Sequence, residues 1–400
     1  MSGRVNEGHT IFGRSDTSGG MRSAAVASLL GSLGAAFAQT LQPTDPLFAM
    51  ASADSATPPF DTHPMKNATA RDLRVVLASI ATHSASTGFH HKISLELPSG
   101  TIRFLLWLPA GFHTTSAQQW PTVFFLHGAA EGQFPNGSSI TNLDACAPYP
   151  CTIGSEISKV ARHGLPHKIE ENAPFNQKFV LVSPQRPLVN GGGDGWSKWS
   201  EHVRILDELR STLFASSDAL DPQRAYLTGL SSGAVGALAW AGFSPSGQQP
   251  WAAVVPASVA WPYREHDHDP TNLRMMEPAA VERLARMNIL VSHCVNDATF
   301  EIEMGSKGQP PCVVQRLGDD SATMCGFSAD AIVEALRAAG AKNVRYDRLQ
   351  ECRSPRMPTD TGPLKASWYN ALQEGHDAWS RLYASADFTQ WLLRQRLEPA

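Results

Sequence analysis

Ala225-Tyr226-Leu227-Thr228-Gly229-Leu230-Ser231-Ser232-Gly233-Ala234-Val235-Gly236-Ala237-Leu238 is the stretch that decides the fold. A short apolar run leads straight into Gly-x-Ser-x-Gly, and small, helix-compatible residues follow. A serine carried on so sharp a strand-to-helix turn has a strained backbone, and the turn closes only if the residues two positions to either side are tiny. Gly229 and Gly233 meet that demand. With 31 glycines in the chain, the five-residue pattern alone is weak; its place between a buried strand and a small-residue helix carries the reading. The helix starts with its positive dipole end beside Ser231, so the amide of Ser232 is the expected donor to a developing oxyanion.

Upstream, Val123-Phe124-Phe125-Leu126-His127-Gly128-Ala129 is an apolar strand ending in His-Gly. Its loop is expected to supply the second oxyanion donor, the amide of Ala129 or of Gly128 beside it. The His127 side chain is expected to brace this turn. Downstream, acid and base should follow the serine in that order, each just past a later strand. Ile289-Leu290-Val291-Ser292-His293-Cys294-Val295-Asn296-Asp297 places Asp297 where the acid belongs, ahead of its rivals Glu301 and Glu303 in an apparent insertion. Asp267 and Asp269 read as a solvated loop rather than a metal site. Glu374-Gly375-His376-Asp377-Ala378-Trp379 supplies the base, His376, on a late loop; His293, its competitor, sits in the strand end beside Asp297 and reads as structural. In this arrangement His376 takes the serine proton and Asp297 fixes its tautomer.

Around these motifs the chain alternates between strand and helix. Lys92 to Leu97 and Ile102 to Leu108 flank Pro98-Ser99-Gly100 as a hairpin. Apolar runs follow at Thr122 to Leu126, Phe179 to Ser183, Ala225 to Thr228, Ala252 to Val255, Asn288 to Ser292 and Val344 to Leu349. Continuous apolarity predicts strands covered on both faces, as in a parallel sheet. Helices are predicted over Val203 to Phe214, Ala279 to Met287, Ala329 to Ala339 and Ala386 to Arg396, the third stopped by Gly340 as a left-handed cap. The expected class is α/β: a mostly parallel sheet with an N-terminal antiparallel hairpin, helices on both faces, and loop insertions near 134–155, 300–327 and 350–372.

Taken together, these segments resemble the α/β-hydrolase esterases related to bacterial polyhydroxybutyrate depolymerases and feruloyl esterases, a group with members labelled predicted peptidases and phospholipase/carboxylesterases. The matching stretches are Trp120-Pro121 through His127-Gly128, Gly164-Leu165-Pro166 through Ser183-Pro184-Gln185, Asp221 through Gly233, and Gly375-His376-Asp377-Ala378-Trp379 with Trp391-Leu392-Leu393; they cover most of residues 90–397. The resemblance implies Ser231, Asp297 and His376 as nucleophile, acid and base. It also implies a small-molecule or polymer-linked carboxylic ester as substrate, cleaved through an acyl-enzyme with no metal or organic cofactor. The chain departs from the group where a methionine and two glycines usually follow the serine, and here Ser232, Gly233 and Ala234 stand. The change is tolerable because only the Ser232 amide is needed. A serine peptidase on the same triad is the alternative; a non-catalytic binding protein would predict a missing triad residue, and none is missing.

Bulk properties set the remaining bounds. Of 400 residues, 42% are hydrophobic and 18% charged, enough apolar surface for a large core. The net charge of −4 is spread without basic blocks, which argues against nucleic acid as a partner. Ala24 to Ala38 is apolar and small, follows Arg22 and ends Ala36-Phe37-Ala38, the pattern of a signal peptide cleaved before Gln39. The run begins late for an exported chain unless Met21 is the working start. At about fifteen residues it is too short for a permanent anchor. The expected layout is a leader over 1–38, a linker and extension over 39–88, and the catalytic domain over 89–400 of a secreted protein. Six cysteines permit fifteen full pairings: Cys146 and Cys151 flank a short loop, Cys312, Cys325 and Cys352 lie in loop-like stretches, and Cys294 reads as a buried thiol. No pair has the spacing of a zinc site. Asn67 and Asn136 head glycosylation acceptor sequences.

Overall fold

The chain enters its sheet at a short edge strand, β1 (Lys66–Thr69), passes through helix α1 (Leu73–Thr82), and forms the hairpin β2 (His90–Leu97) and β3 (Gly100–Trp107). Then come β4 (Trp120–Leu126), a 3-10 turn over Glu156–Ala161, α2 (Gly164–Glu170), β5 (Val180–Gln185), α3 (Trp199–Ser216), β6 (Leu220–Leu230) and α4 (Ser232–Phe243). The second half runs β7 (Ala253–Ala257), α5 (Pro278–Ala285), β8 (Asn288–Cys294), β9 (Cys312–Leu317), β10 (Asp320–Cys325), α6 (Ala329–Ala338), β11 (Val344–Leu349), α7 (Trp379–Tyr383) and α8 (Ala386–Arg394). This computed structural model describes residues 65–82, 87–113, 119–128, 131–132, 156–161, 163–171, 178–187, 199–244, 251–261, 277–299, 312–317, 320–325, 328–352 and 375–397. The described residues belong to one compact unit, Thr57–Ala400.

Nine strands form one mixed sheet in the order β1-β2-β3-β5-β4-β6-β7-β8-β11. β3 runs antiparallel to both β2 and β5, and the other neighbours are parallel. The apolar runs have their cause in two buried faces. Alternate side chains of a strand point to opposite sides of the sheet, and here both sides are core. Phe124 and Leu126 of β4, Val182 of β5, Leu227 of β6 and Val291 of β8 join one apolar cluster with side chains of α1, α3, α4, α5 and α6. Val123 and Phe125, Leu181, Tyr226 and Leu290 join the other, with α2, α7 and α8. A mostly parallel sheet with helices on both faces is thus what these residues build.

Some expectations need correction. The extension before residue 89 contains β1 and α1, which add a strand and a helix to the fold. The insertion near 300–327 contains the antiparallel pair β9 and β10, with Cys312 and Cys325 in register rather than in loops. Cys294 is not a thiol: it is bridged to Cys352, with a Cα–Cα distance of 5.8 Å. The pairing follows from the sheet, because Cys294 ends β8 opposite Leu349 of the parallel β11, and Cys352 lies three residues further on. Gly340 does cap its helix, at φ 84°, with Ala341 N–H donating to Leu336 C=O at 3.0 Å. Asn67 is exposed on the edge strand. The leader, Ala129, Asn136, Cys146, Cys151, Asp267, Asp269, Glu301 and Glu303 lie outside the described residues.

Candidate active site

Strand order reverses where β4 sits between β5 and β6, and a ligand crevice is expected at the carboxyl ends of the strands at such a point. Leu126 near the end of β4 lies opposite Gly229 near the end of β6, so the His127-Gly128 loop and the Ser231 turn emerge side by side. Ser231 has φ 52° and ψ −123°, a left-handed conformation that a residue with a Cβ seldom adopts. Its N–H donates to Ala257 C=O at 3.0 Å, and its own carbonyl accepts from Ala234 N–H at 2.9 Å, which starts α4 directly. The flanking glycines are required by contact. A Cβ on Gly229 would strike the Gly233 carbonyl, and one on Gly233 would strike the carbonyls of Leu126 and His127. Gly233 thereby lets the strand carrying the expected oxyanion loop approach the serine. This is the mostly parallel sheet with a strand-to-helix serine turn that the sequence predicts.

On this sheet the three residues expected to form the triad come together. His376 Nε2 lies 2.9 Å from Ser231 Oγ. Its Nδ1 lies 2.9 and 2.8 Å from Asp297 Oδ1 and Oδ2. A carboxylate only accepts, so the imidazole proton belongs on Nδ1, and Nε2 is left to accept from the serine hydroxyl. The Trp379 ring stands edge-on to His376 at 5.2 Å and limits its tilt. Thr299 N–H donates to Asp297 Oδ1 at 2.8 Å. His293, the rival base, meets Asp297 instead: its Nε2 is 3.3 Å from Oδ2.

Ser232 occupies the first position of α4, at the positive end of the helix dipole. Gly128 lies close by; a Cβ there would come 3.0 Å from Leu230 Cδ1. His127 braces the loop. Its Nδ1–H donates to Gly128 C=O at 2.6 Å, and its Nε2 accepts from Arg186 N–H at 2.9 Å. Burial holds this imidazole neutral, with its pKa pushed down to about 3. Asp377, next to His376, is raised above the ordinary carboxylate value by burial, while its carboxylate accepts from Ser380 N–H at 2.8 Å at the start of α7.

Ser258 joins the site without a mark in the sequence. Its hydroxyl donates to His376 C=O at 2.6 Å, and it has φ 52°, matching Ser231. No local signal marks it in Pro256-Ala257-Ser258-Val259, because its contacts come from residues far away in the chain.

No family model matches the sequence, and no curated protein matches it. Similar solved structures include a thermostable esterase, at 18% identity and TM-score 0.45, covering 77% of this chain and 63% of that one. An acylaminoacyl peptidase of Pyrococcus horikoshii is similar at 11% identity and TM-score 0.40, over 78% of this chain and 43% of that one. A feruloyl esterase module from Clostridium thermocellum, complexed with sinapinate, is similar at 13% identity and TM-score 0.36, over 73% of this chain and 89% of that one. The chain thus spans less than two thirds of the esterase and less than half of the peptidase. Among the described residues no helix is long and apolar enough to cross a membrane.

Proposed function

We propose that this chain is a serine hydrolase of carboxylic esters, with Ser231 as nucleophile, His376 as base and Asp297 as acid. The observation that carries the reading is the 2.9 Å approach of Ser231 Oγ to His376 Nε2, on a strained turn, with Asp297 against the opposite ring nitrogen. Ser231 Oγ attacks the ester carbonyl as its proton passes to His376 Nε2. The amides of Ser232 and of the Gly128–Ala129 loop receive the oxyanion. His376 then returns the proton to the departing alcohol, leaving an acyl-enzyme. Water repeats the sequence, giving its proton to His376, and the acid is released. Asp297 accepts from Nδ1 throughout and steadies the imidazolium. None of these steps calls on a metal or an organic cofactor.

The signal-like stretch, the Cys294–Cys352 bridge and the exposed Asn67 acceptor support an extracellular setting, where disulfides persist. The reading is tested with a fluorophosphonate probe and an ester panel running from short acyl groups to hydroxycinnamates, with matched amides as contrast. Ser231 should be labelled, and Ser231→Ala should lower kcat by roughly 10⁴ to 10⁶ while the protein stays folded. Unchanged turnover of an aryl ester by that variant would refute the assignment, and preferential cleavage of the amides would make the chain a peptidase.

A further inference from the structure

The three proposed triad residues come from separate segments, yet all are fastened to a single turn. β7 lies between β6, which leads to Ser231, and β8, which leads to Asp297. At the end of β7, Ala257 C=O accepts from Ser231 N–H at 3.0 Å, and Ser258 N–H donates to Ser292 C=O of β8 at 2.8 Å. The next amide, Val259 N–H, donates to His293 Nδ1 at 3.0 Å. A ring nitrogen that accepts carries no proton, so His293 is neutral and protonated on Nε2. That nitrogen is the one 3.3 Å from Asp297 Oδ2. Ser258 Oγ–H, meanwhile, donates to His376 C=O at 2.6 Å and accepts from Ala378 N–H at 3.4 Å. Ser231 and Ser258 are the non-glycine residues with positive φ among those described. Such a backbone persists where its surroundings over-determine it.

We propose that the turn Ala257-Ser258-Val259 is the positioning element of the site, with Ser258 and His293 as positioning residues. Ser258 sets the depth of the loop that carries His376. His293, locked in one tautomer by Val259, holds the Asp297 carboxylate. With Thr299 N–H on Oδ1 and His293 Nε2–H on Oδ2, the carboxylate is fixed with both oxygens toward His376 Nδ1. Remove either side chain and the turn still folds back on β8 through its backbone, but the imidazole or the carboxylate gains freedom to shift. The inference rests on the reading of Ser231, Asp297 and His376 as the triad. Both residues act through the acid or the base, so their loss should lower kcat and leave KM little changed.

The test uses the full chain with p-nitrophenyl acetate as substrate and three variants. His293→Asn reproduces the acceptor facing Val259 but cannot reach Asp297. His293→Gln places an N–H donor near the position of Nε2. Ser258→Gly tolerates φ 52° and removes only the side chain, so it keeps the test decisive if the asparagine variant folds poorly. His293→Asn and Ser258→Gly should each lower kcat by ~10–100-fold, with KM within about threefold and a parallel loss in the rate of fluorophosphonate labelling. His293→Gln should recover most of the loss. The proposal is overturned if Ser258→Gly and His293→Asn turn over like the parent, or if glutamine at 293 is no better than asparagine. Ser231→Ala, assayed in parallel, separates the two ideas: an active Ser231→Ala would sink the triad itself, whereas an inactive one beside fully active positioning variants would sink only the turn.

Discussion

At the scale of single residues, a missing Cβ decides whether Asp297 and His376 can meet. Gly375 precedes His376 and Asn296 precedes Asp297, and the two preceding residues touch backbone to backbone. Gly375 has φ 69°, and a Cβ built there would drive into the Asn296 carbonyl. Two demands therefore converge on one position: a left-handed conformation, which costs an alanine about 1–2 kcal/mol, and a close approach that no side chain permits. Gly375→Ala should push the His376 loop away from the Asp297 turn. A displacement near 1 Å at a proton-transfer distance can cost ~10²-fold in rate, so kcat on an aryl ester should fall by that order, accompanied by a lower thermal midpoint. Steady-state kinetics beside a melting curve provides the check. A variant with parental kcat would mean that the loop tolerates the intrusion and that the contact does not position His376.

At the scale of elements, the turn that carries Asp297 is held by the segment that leaves β11. Cys294, the last residue of β8, is bridged to Cys352 across 58 residues of chain. Asn296 adds a two-way contact, its Nδ2–H donating to Cys352 C=O at 3.0 Å and its Oδ1 accepting from Cys352 N–H at 2.9 Å. Closing a loop of that length removes chain entropy from the unfolded state, about 4 kcal/mol by the loop-closure relation and commonly 2–4 in practice. The double variant Cys294→Ala/Cys352→Ala should therefore lose stability of that order in urea unfolding, and a reductant applied to both proteins should erase the difference between them. Equal midpoints for parent and variant under oxidising conditions would show that the bridge contributes nothing. The bridge is not legible in the sequence, because Cys294 sits in an apolar strand and its partner is remote; only the parallel pairing of β8 with β11 brings them together. β4, β5, β7 and β8 were legible for the opposite reason: burial on both faces gives each an unbroken run of apolar residues. In β1, Ala68 alone of four residues is buried, and no periodicity can show in so short a strand. Helix α1 did carry a readable signal in the spacing of Leu73, Leu77 and Ile80. That Ser231, Asp297 and His376 come together was legible because each follows a recognisable strand or loop motif in the expected order, whereas Ser258 meets the His376 carbonyl 118 residues away in sequence.

For the molecule as a whole, two buried histidines tie stability to pH. His90, at the start of β2, donates from Nε2–H to Pro166 C=O at 3.0 Å and so links the hairpin to α2. Burial pushes its pKa down to about 4, although the Glu170 carboxylate lies 3.7 Å from the same nitrogen; loss of solvent outweighs that attraction. His127 is pushed down to about 3 for the same reason, and it links the Gly128 carbonyl to the Arg186 amide only while its Nε2 is unprotonated. In the unfolded chain both imidazoles titrate near ~6.5. Above that value neither state is protonated and the full stability is present. As the pH falls below ~6.5, the unfolded chain takes up two protons that the folded protein refuses, so stability declines, with a slope approaching ~2.7 kcal/mol per pH unit. The decline attributable to His90 ends near its folded value of about 4 and that of His127 near about 3. Glu171, held down to about 2 chiefly by its hydrogen bond with His167, contributes stability that is lost only below the ordinary glutamate range, whereas Asp377, raised by burial, takes up its proton first in the folded protein and offsets part of the histidines' decline. Urea unfolding at pH 7, 6 and 5 should show the midpoint falling with acidity. His90→Gln, whose amide N–H can still donate to the Pro166 carbonyl but cannot take up a proton, should fall with a slope smaller by one proton. A parent midpoint that stays level across this interval, or a glutamine variant that falls as steeply as the parent, would mean that these rings are not kept neutral by burial in the folded protein.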